Sequence, residues 1–234
     1  MKSEIEELKR MLEVNPSELN LLRRLANIYF NRRMMDEAIG EVKKMLAIDP
    51  QDSTAHANLG VAYASKGMID EAIYEFKRAI EIKPDNSNAH YHLGHACLAT
   101  GSLKDGISEL NKAIEADPKN RSAYDALGLL YLNNERHEDA IKLAQKMIEF
   151  YPADAVAHAN LGGSYISAGM IDEGLTTLQN ALMMNPEEPH IYKNLAIAYE
   201  EKGMKEEQEK ALQRYNELIG SLQSRSLLEA ERPG

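Results

Sequence analysis

Six of the eight prolines in this sequence are evenly spaced, each 34 residues from the next. They are Pro16, Pro50, Pro84, Pro118, Pro152 and Pro186. A fixed period of this length indicates a repeat protein, in which one supersecondary unit is stacked many times along the chain. This spacing constrains the fold strongly, because each unit must bury its apolar face against its neighbours.

Other positions keep the same 34-residue step and show what each unit contains. A leucine column reads Leu25, Leu59, Leu93, Leu127, Leu161 and Leu195. The residue after it is always small: Ala26, Gly60, Gly94, Gly128, Gly162 and Ala196. A second small column reads Ala38, Ala72, Gly106, Ala140 and Gly174, and is lost at Gln208. Two small columns in each unit predict two helices that approach each other closely.

The second unit of the period shows how such a hairpin is built. Leu59 and Gly60 lie on one face of a predicted helix, as part of an apolar stripe with a notch in it. Gly67 is a helix stop signal, and Asp70 is a favourable N-cap for the next helix. Pro84 ends the second helix, because proline cannot continue the backbone hydrogen-bond ladder.

This pattern resembles that of the tetratricopeptide repeat (TPR) family. The matching residues of the second unit are Leu59-Gly60, Tyr63, Ala72, Phe76, Ala79 and Pro84. The resemblance covers roughly residues 1–222. It implies an all-α fold, a right-handed α-solenoid of helix-turn-helix tetratricopeptide repeats whose first helices line the concave side. The column that the family often fills with Trp here holds Leu22, His56, His90, Tyr124, His158 and Tyr192.

The period also sets the expected boundaries. They are an N-terminal half-repeat helix at 1–18, repeats at 19–52, 53–86, 87–120, 121–154 and 155–188, a degenerate capping repeat at 189–222, and a C-terminal tail at 223–234. The last repeat loses three column residues, at Gln208, Tyr215 and Gly220. Such a loss is expected of a terminal repeat, which exposes one face to water.

Composition excludes several function classes. The net charge is −10, from 37 acidic and 27 basic residues, which argues against nucleic acid or an anionic membrane surface as the main partner. Cys97 is the single cysteine, so no intramolecular disulfide can form. The sequence has no stretch resembling a signal peptide and no apolar run long enough to insert directly into a membrane. We therefore expect a soluble, cytoplasmic protein.

The first helices of the middle repeats have an unusual surface. The stretches 53–65, 87–101 and 155–171 contain no charged residue, whereas the second helix of repeat 2 carries six. Solvated helix faces are usually built from charged helix formers, so the neutral faces predict a surface for a bound peptide. The alternative is an ordinary solvated face.

Asn58, Asn160 and Asn194 fall in one column of these faces. An Asn amide offers both a donor and an acceptor to a peptide backbone. The column resembles the asparagine ladder in the repeat domain of O-linked N-acetylglucosamine transferases, although Arg24, His92 and Ala126 interrupt it. Filler asparagines on a polar face are the alternative.

The first three repeats resemble the carboxylate clamp of chaperone-binding TPR proteins. The positions that match the clamp are Arg23, Asn27, Asn58, Asn88 and His92. The resemblance implies a site for a C-terminal carboxylate, and a looser acidic subsite near Arg23 and Arg24 is the alternative.

His92 and His95 lie three residues apart on the free face of their helix and are the remaining candidate ligand residues. Two imidazoles make a weak metal site, so we expect no metal and no cofactor. His90 falls in the packing column and is expected to face the hairpin interior. The sequence contains no H-E-x-x-H, G-x-S-x-G, Walker or G-x-G-x-x-G motif, so we expect no enzymatic activity.

The function that these features favour is a non-catalytic adaptor or scaffold, which binds a protein or peptide ligand in its concave groove. One alternative is a self-assembling homo-oligomer, in which a terminal helix fills the groove of the next molecule. Another is a regulatory subunit or a fragment of a larger repeat protein.

Overall fold

The computed structural model describes residues 2–230, with the side chains of residues 4–224. Within that range the chain forms thirteen α-helices and no β-strand. The helices are α1 (Lys2–Val14), α2 (Leu19–Asn31), α3 (Met35–Ile48), α4 (Ser53–Ser65), α5 (Ile69–Ile82), α6 (Ser87–Ala99), α7 (Leu103–Ala116), α8 (Arg121–Asn133), α9 (His137–Phe150), α10 (Ala155–Ser167), α11 (Ile171–Met184), α12 (Pro189–Glu201) and α13 (Lys205–Ala230). The predicted all-α helical-repeat fold is confirmed. Residues 231–234 of the predicted tail lie outside the described residues.

The helices alternate between two lengths. The even-numbered helices α2 to α12 have 13 residues each and are called first helices below. The odd-numbered helices α3 to α11 have 14 residues each and, with the longer α13, are called second helices. The final helix α13 has 26 residues and runs through residue 222 into the segment predicted as a tail.

The chain divides into two compact units. The first unit ends at Ala123 and the second begins at Tyr124, within α8. In the first unit, each helix from α1 to α7 packs against the next one along the chain, and successive first helices α4 and α6 also touch. In the second unit, α9 to α13 pack in the same serial order and α10 touches α12.

Glycine follows the C-terminus of several first helices, as the sequence predicts for Gly67. Gly67, Gly101, Gly169 and Gly203 all have positive φ values, a backbone conformation that costs other residues energy. The prediction for Asp70 is wrong, because α5 begins at Ile69 and Asp70 lies inside its first turn. There the carboxylate interacts favourably with the positive end of the helix dipole.

The small columns bring the two helices of each hairpin together. An added Cβ on Gly60 would lie 2.5 Å from the ring of Phe76, and one on Gly94 would lie 2.9 Å from Leu110 Cγ. In the second unit, a Cβ on Gly162 would lie 2.7 Å from Leu178 Cγ. In each of these hairpins, a large side chain of the second helix therefore fills the space left by glycine on the first helix.

The histidines of the packing column are tied to the second helix. His90 is 5% exposed, which confirms its predicted interior position. Its Nδ1 lies 2.7 Å from Glu109 Oε2, and its Nε2 lies 2.9 Å from the carbonyl oxygen of Pro84. His56 has the same arrangement with Glu75 and Pro50. For His90, the two acceptors at its ring nitrogens favour the imidazolium form, which donates from both.

Polar ties join successive hairpins of the first unit. Ser53 Oγ donates to the carbonyl oxygen of Ala79 and accepts from Asn86 Nδ2, at 2.8 and 2.7 Å. One repeat later, Ser87 Oγ donates to Ala113 O and accepts from Asn120 Nδ2, both at 2.7 Å. These bonds satisfy buried polar groups where the hairpins meet.

Gly94→Ala is expected to destabilise the protein by about 1–3 kcal/mol, because the added methyl group meets Leu110 and the backbone of Gly106. The matched control is Gly128→Ala. A Cβ at that position has only Leu143 Cδ2 within 4 Å, at 3.8 Å. Alanine there should be neutral or stabilising by up to about 1 kcal/mol, because it is the better helix former. Equal effects of the two substitutions in urea unfolding would contradict the packing scheme.

Candidate functional site

A groove runs along the first helices of the second unit and is called the second-unit groove below. It has a volume of about 400 Å³ and is lined by residues of α8, α9, α10 and α12. From α10 it takes the neutral face of that helix, Val156, Asn160, Gly163 and Ser167. Leu129 of α8 and Ile197 of α12 also line it and are 63% and 42% exposed. The groove thus combines exposed apolar side chains with a few polar groups, as ligand sites do.

Two of the ladder asparagines lie in this groove and hold first helices together. Asn160 Nδ2 donates to Asp125 Oδ1 at 3.2 Å, and Asn194 Nδ2 donates to the carbonyl oxygen of Ala159 at 3.0 Å. Gly163 makes room for the second bond, since a Cβ there would lie 2.8 Å from Asn194 Nδ2. One N–H of each amide is therefore used within the fold. Each amide also has a second N–H and an Oδ1 for further hydrogen bonds.

The remaining polar candidates of the first unit lie on α2, α4 and α6. Asn27 and Asn88 are exposed, and Asn58 is half-buried. Arg23 and Arg24 are each in an ion pair, Arg23 with Asp52 at 3.2 Å and Arg24 with Glu4 at 3.6 Å. An acidic ligand would have to compete with the carboxylates of Asp52 and Glu4 for these two arginines. Asp52 is also the N-cap of α4, so it is held in place by the backbone N–H groups that it accepts from.

The histidines of α6 form an aromatic cluster. His92 stacks on Phe76 with the ring centroids 5.6 Å apart, and Tyr91 packs edge-on against both His92 and His95. Burial, with a smaller contribution from His95, lowers the pKa of His92 to about 4. Burial also lowers the pKa of His95. Burial therefore favours the neutral form of both rings, which makes His92 a poor positive partner for a bound carboxylate.

No group of three or more His, Cys, Asp or Glu side chains among the described residues is arranged to hold a metal ion. Cys97 is half-buried and packs against the core that contains Phe76. Burial, with smaller contributions from Asp105 and Glu109, raises the pKa of its thiol. A raised pKa keeps the thiol protonated and unreactive.

Sequence reasoning missed part of the second-unit groove. Phe76, Leu110 and Leu178, which fill the glycine notches in their own repeats, belong to one column of the 34-residue period. Repeat 4 has Ala144 in that column. Both Ala144 and Gly128 line the groove. The sequence shows that alanine replaces a large residue at position 144. It does not show that this replacement leaves a space beside Gly128.

The paired helices, the glycine notches and the neutral first-helix faces together define a tetratricopeptide helical-repeat protein. The chain belongs to the family described as the cilia and flagella-associated protein 70 C-terminal domain, whose model matches residues 3–226. A search of curated proteins found no significant match.

Solved structures with the same fold include MamA and YrrB. One MamA structure is 26% identical, with 72% of this chain and 92% of that chain covered and a TM-score of 0.60. A second is 27% identical, with coverage of 70% and 95% and a TM-score of 0.59. YrrB is described as a TPR protein with an unusual peptide-binding site. It is 22% identical, with coverage of 80% and 96% and a TM-score of 0.57, and this likeness shows the fold.

The family and fold are typically those of non-catalytic interaction modules. In the described range 2–230, no helix is both long enough and apolar enough to cross a membrane.

The pKa values of His90 and His92 should be shifted in opposite directions from the ordinary value of 6.5. The hydrogen bond to Glu109 raises the pKa of His90, while burial brings that of His92 to about 4. The stability from His90 is complete below pH 6.5 and is lost as the pH rises through its raised folded pKa. His92 instead costs stability as the pH falls from 6.5 towards 4.

NMR titration of the imidazole Cε1 signals measures both midpoints. His90→Gln should remove the upper midpoint and leave that of His92 in place. A His92 midpoint near 6.5 would contradict its neutral, buried state.

Proposed function

We propose that this chain is a non-catalytic interaction module, which holds a peptide or a helix of a partner protein against its first-helix faces. The observation that carries the proposal is the second-unit groove. It combines an apolar surface at Leu129, Val156 and Ile197 with the amides of Asn160 and Asn194. Such a mixture suits an extended peptide, whose backbone needs hydrogen bonds and whose side chains need apolar contacts.

The distribution of charge supports the same faces. Helices α4, α6 and α10 contain no Asp, Glu, Lys or Arg, whereas the second helix α5 contains six. These three first helices therefore offer surfaces that desolvate at low cost when a partner binds. The second helices carry the solvated charge that keeps a protein of net charge −10 dispersed in water.

The asparagine column is the polar part of the proposed site in both units. Asn58 is half-buried on α4, and its side chain forms no hydrogen bond within residues 4–224, whose side chains the structure describes. Asn88 and Asn27 lie on neighbouring exposed surfaces of the first unit. We propose that Arg23, Arg24, His92 and His95 are contact residues of the first-unit face. Their ion pairs and neutral rings favour a neutral peptide backbone there over a terminal carboxylate.

The proposal is tested with a random peptide library of 12 residues displayed on phage, followed by titration of a selected synthetic peptide. Asn160→Ala should weaken binding by roughly 3–10-fold, the loss of one net hydrogen bond. The matched control is Asn180→Ala, an exposed asparagine on the second helix α11. It should leave the dissociation constant unchanged.

Asn160→Ala also breaks the bond to Asp125, so a loss of about 1 kcal/mol in stability is expected. Binding is therefore measured at a temperature where circular dichroism shows both variants folded. An effect of Asn180→Ala larger than that of Asn160→Ala would place the binding site on the second helices and contradict the proposal. Sedimentation of the protein alone distinguishes a peptide partner from a second copy of the chain.

A further inference from the structure

The fourth repeat contains a gap that its neighbours lack. In repeats 2, 3 and 5, the glycine of the first helix has a Phe or Leu side chain within 2.5–2.9 Å of where its Cβ would stand. At Gly128 the nearest such atom is Leu143 Cδ2, at 3.8 Å. The residue in the filling column of this repeat is Ala144. The hairpin therefore keeps its notch while the side chain that would occupy it is shortened.

This gap opens into the second-unit groove. Gly128, Ala140 and Ala144 line the groove together with the exposed first-helix residues Leu129 and Ile197. The whole groove has a volume of about 400 Å³, within the range of about 300–1,000 Å³ that is typical of small-molecule sites. The inner wall is apolar and includes Leu143, Met147 and Ile166. Close-packed protein interiors rarely leave apolar walls of this kind unfilled.

The charged side chains of the groove favour a ligand with a negatively charged group. His190 is paired with Glu188 at 2.7 Å, and Asp125 accepts the hydrogen bond of Asn160. Lys193 lines the groove, is exposed, and forms no ion pair with any residue in the described range. Its ammonium group attracts a carboxylate, and the neutral faces around it place no competing acid on α10.

We infer that the gap at Ala144 is a specificity pocket, which takes one bulky apolar side chain (Leu, Ile, Met or Phe) of a partner peptide that also places an acidic group at Lys193. The inference rests on the proposed function and names the side chain that the peptide must supply. In protein interfaces, a few residues that sit in well-packed, desolvated pockets carry most of the binding energy.

The test restores the side chain that other repeats have. Ala144→Leu should fill the pocket, as Leu110 and Leu178 fill the notches at Gly94 and Gly162. It should raise the melting temperature and weaken a peptide selected on the wild-type protein at least tenfold. Replacing the anchor of that peptide by Ala should weaken wild-type binding by the same factor, with no further loss in Ala144→Leu. Lys193→Gln should weaken binding less and should reduce its dependence on salt.

A second measurement needs no selected peptide and keeps the inference testable if the leucine variant is poorly folded. N-acetyl-leucinamide should shift the methyl NMR signals of Leu143 and Ile166 in the wild-type protein, and N-acetyl-alaninamide should not. Ala144→Val, a smaller change, should reduce the shift.

The possible failures are distinct. Selected peptides without a shared apolar position, or equal binding to wild type and Ala144→Leu, would overturn the pocket and leave the interaction module intact. No selected peptide at all would refute the proposed function. Binding of N-acetyl-leucinamide in that case would show a small-molecule site and overturn the peptide occupant.

Discussion

The close approach of the two helices in each hairpin is the contact on which the rest of the structure depends. In repeats 2, 3 and 5, glycine on the first helix removes the Cβ that would hold the partner helix away, and a large side chain of the second helix fills the space. Gly60 with Phe76 and Gly162 with Leu178 show the same solution in the two units. Because dispersion contacts fall off steeply with distance, a hairpin that lacks either partner must leave a gap or shift its backbone.

The second-unit groove follows from one departure from that rule. Gly128 leaves a notch on the first helix of repeat 4, but Ala144 on the second helix is too small to fill it. An apolar recess therefore remains between two helices that are closely packed in repeats 2, 3 and 5. Leu129 and Ile197 extend this recess to the surface, and Asn160 and Asn194 add polar groups beside it. Packing and binding are therefore linked at Ala144. A larger side chain at this position would stabilise the hairpin but would also close the binding site.

Sequence reasoning reached the hairpins, the helix stops and the interior position of His90, because all three follow from local chemistry repeated at a fixed period. It did not reach the bonds of Asn160 and Asn194, which were predicted only as residues that contact a bound peptide. Those bonds depend on how neighbouring first helices are placed, and the bond of Asn194 also needs the space beside Gly163, which no single column shows. The ion pairs of Arg23 and Arg24 were missed for the same reason, since their partners lie 29 and 20 residues away in the sequence.

The measurement that tests the central claim most directly is of intermolecular NOEs in a complex of the protein with a peptide. The wild-type protein, labelled with ¹³C in its Leu and Ile methyl groups, is mixed with an unlabelled peptide selected from the random library. The account predicts intermolecular NOEs from one apolar side chain of the peptide to the methyl groups of Leu129, Leu143 and Ile197, which line the second-unit groove. NOEs confined to second-helix methyl groups outside the groove, such as those of Leu175 and Leu182, would contradict it.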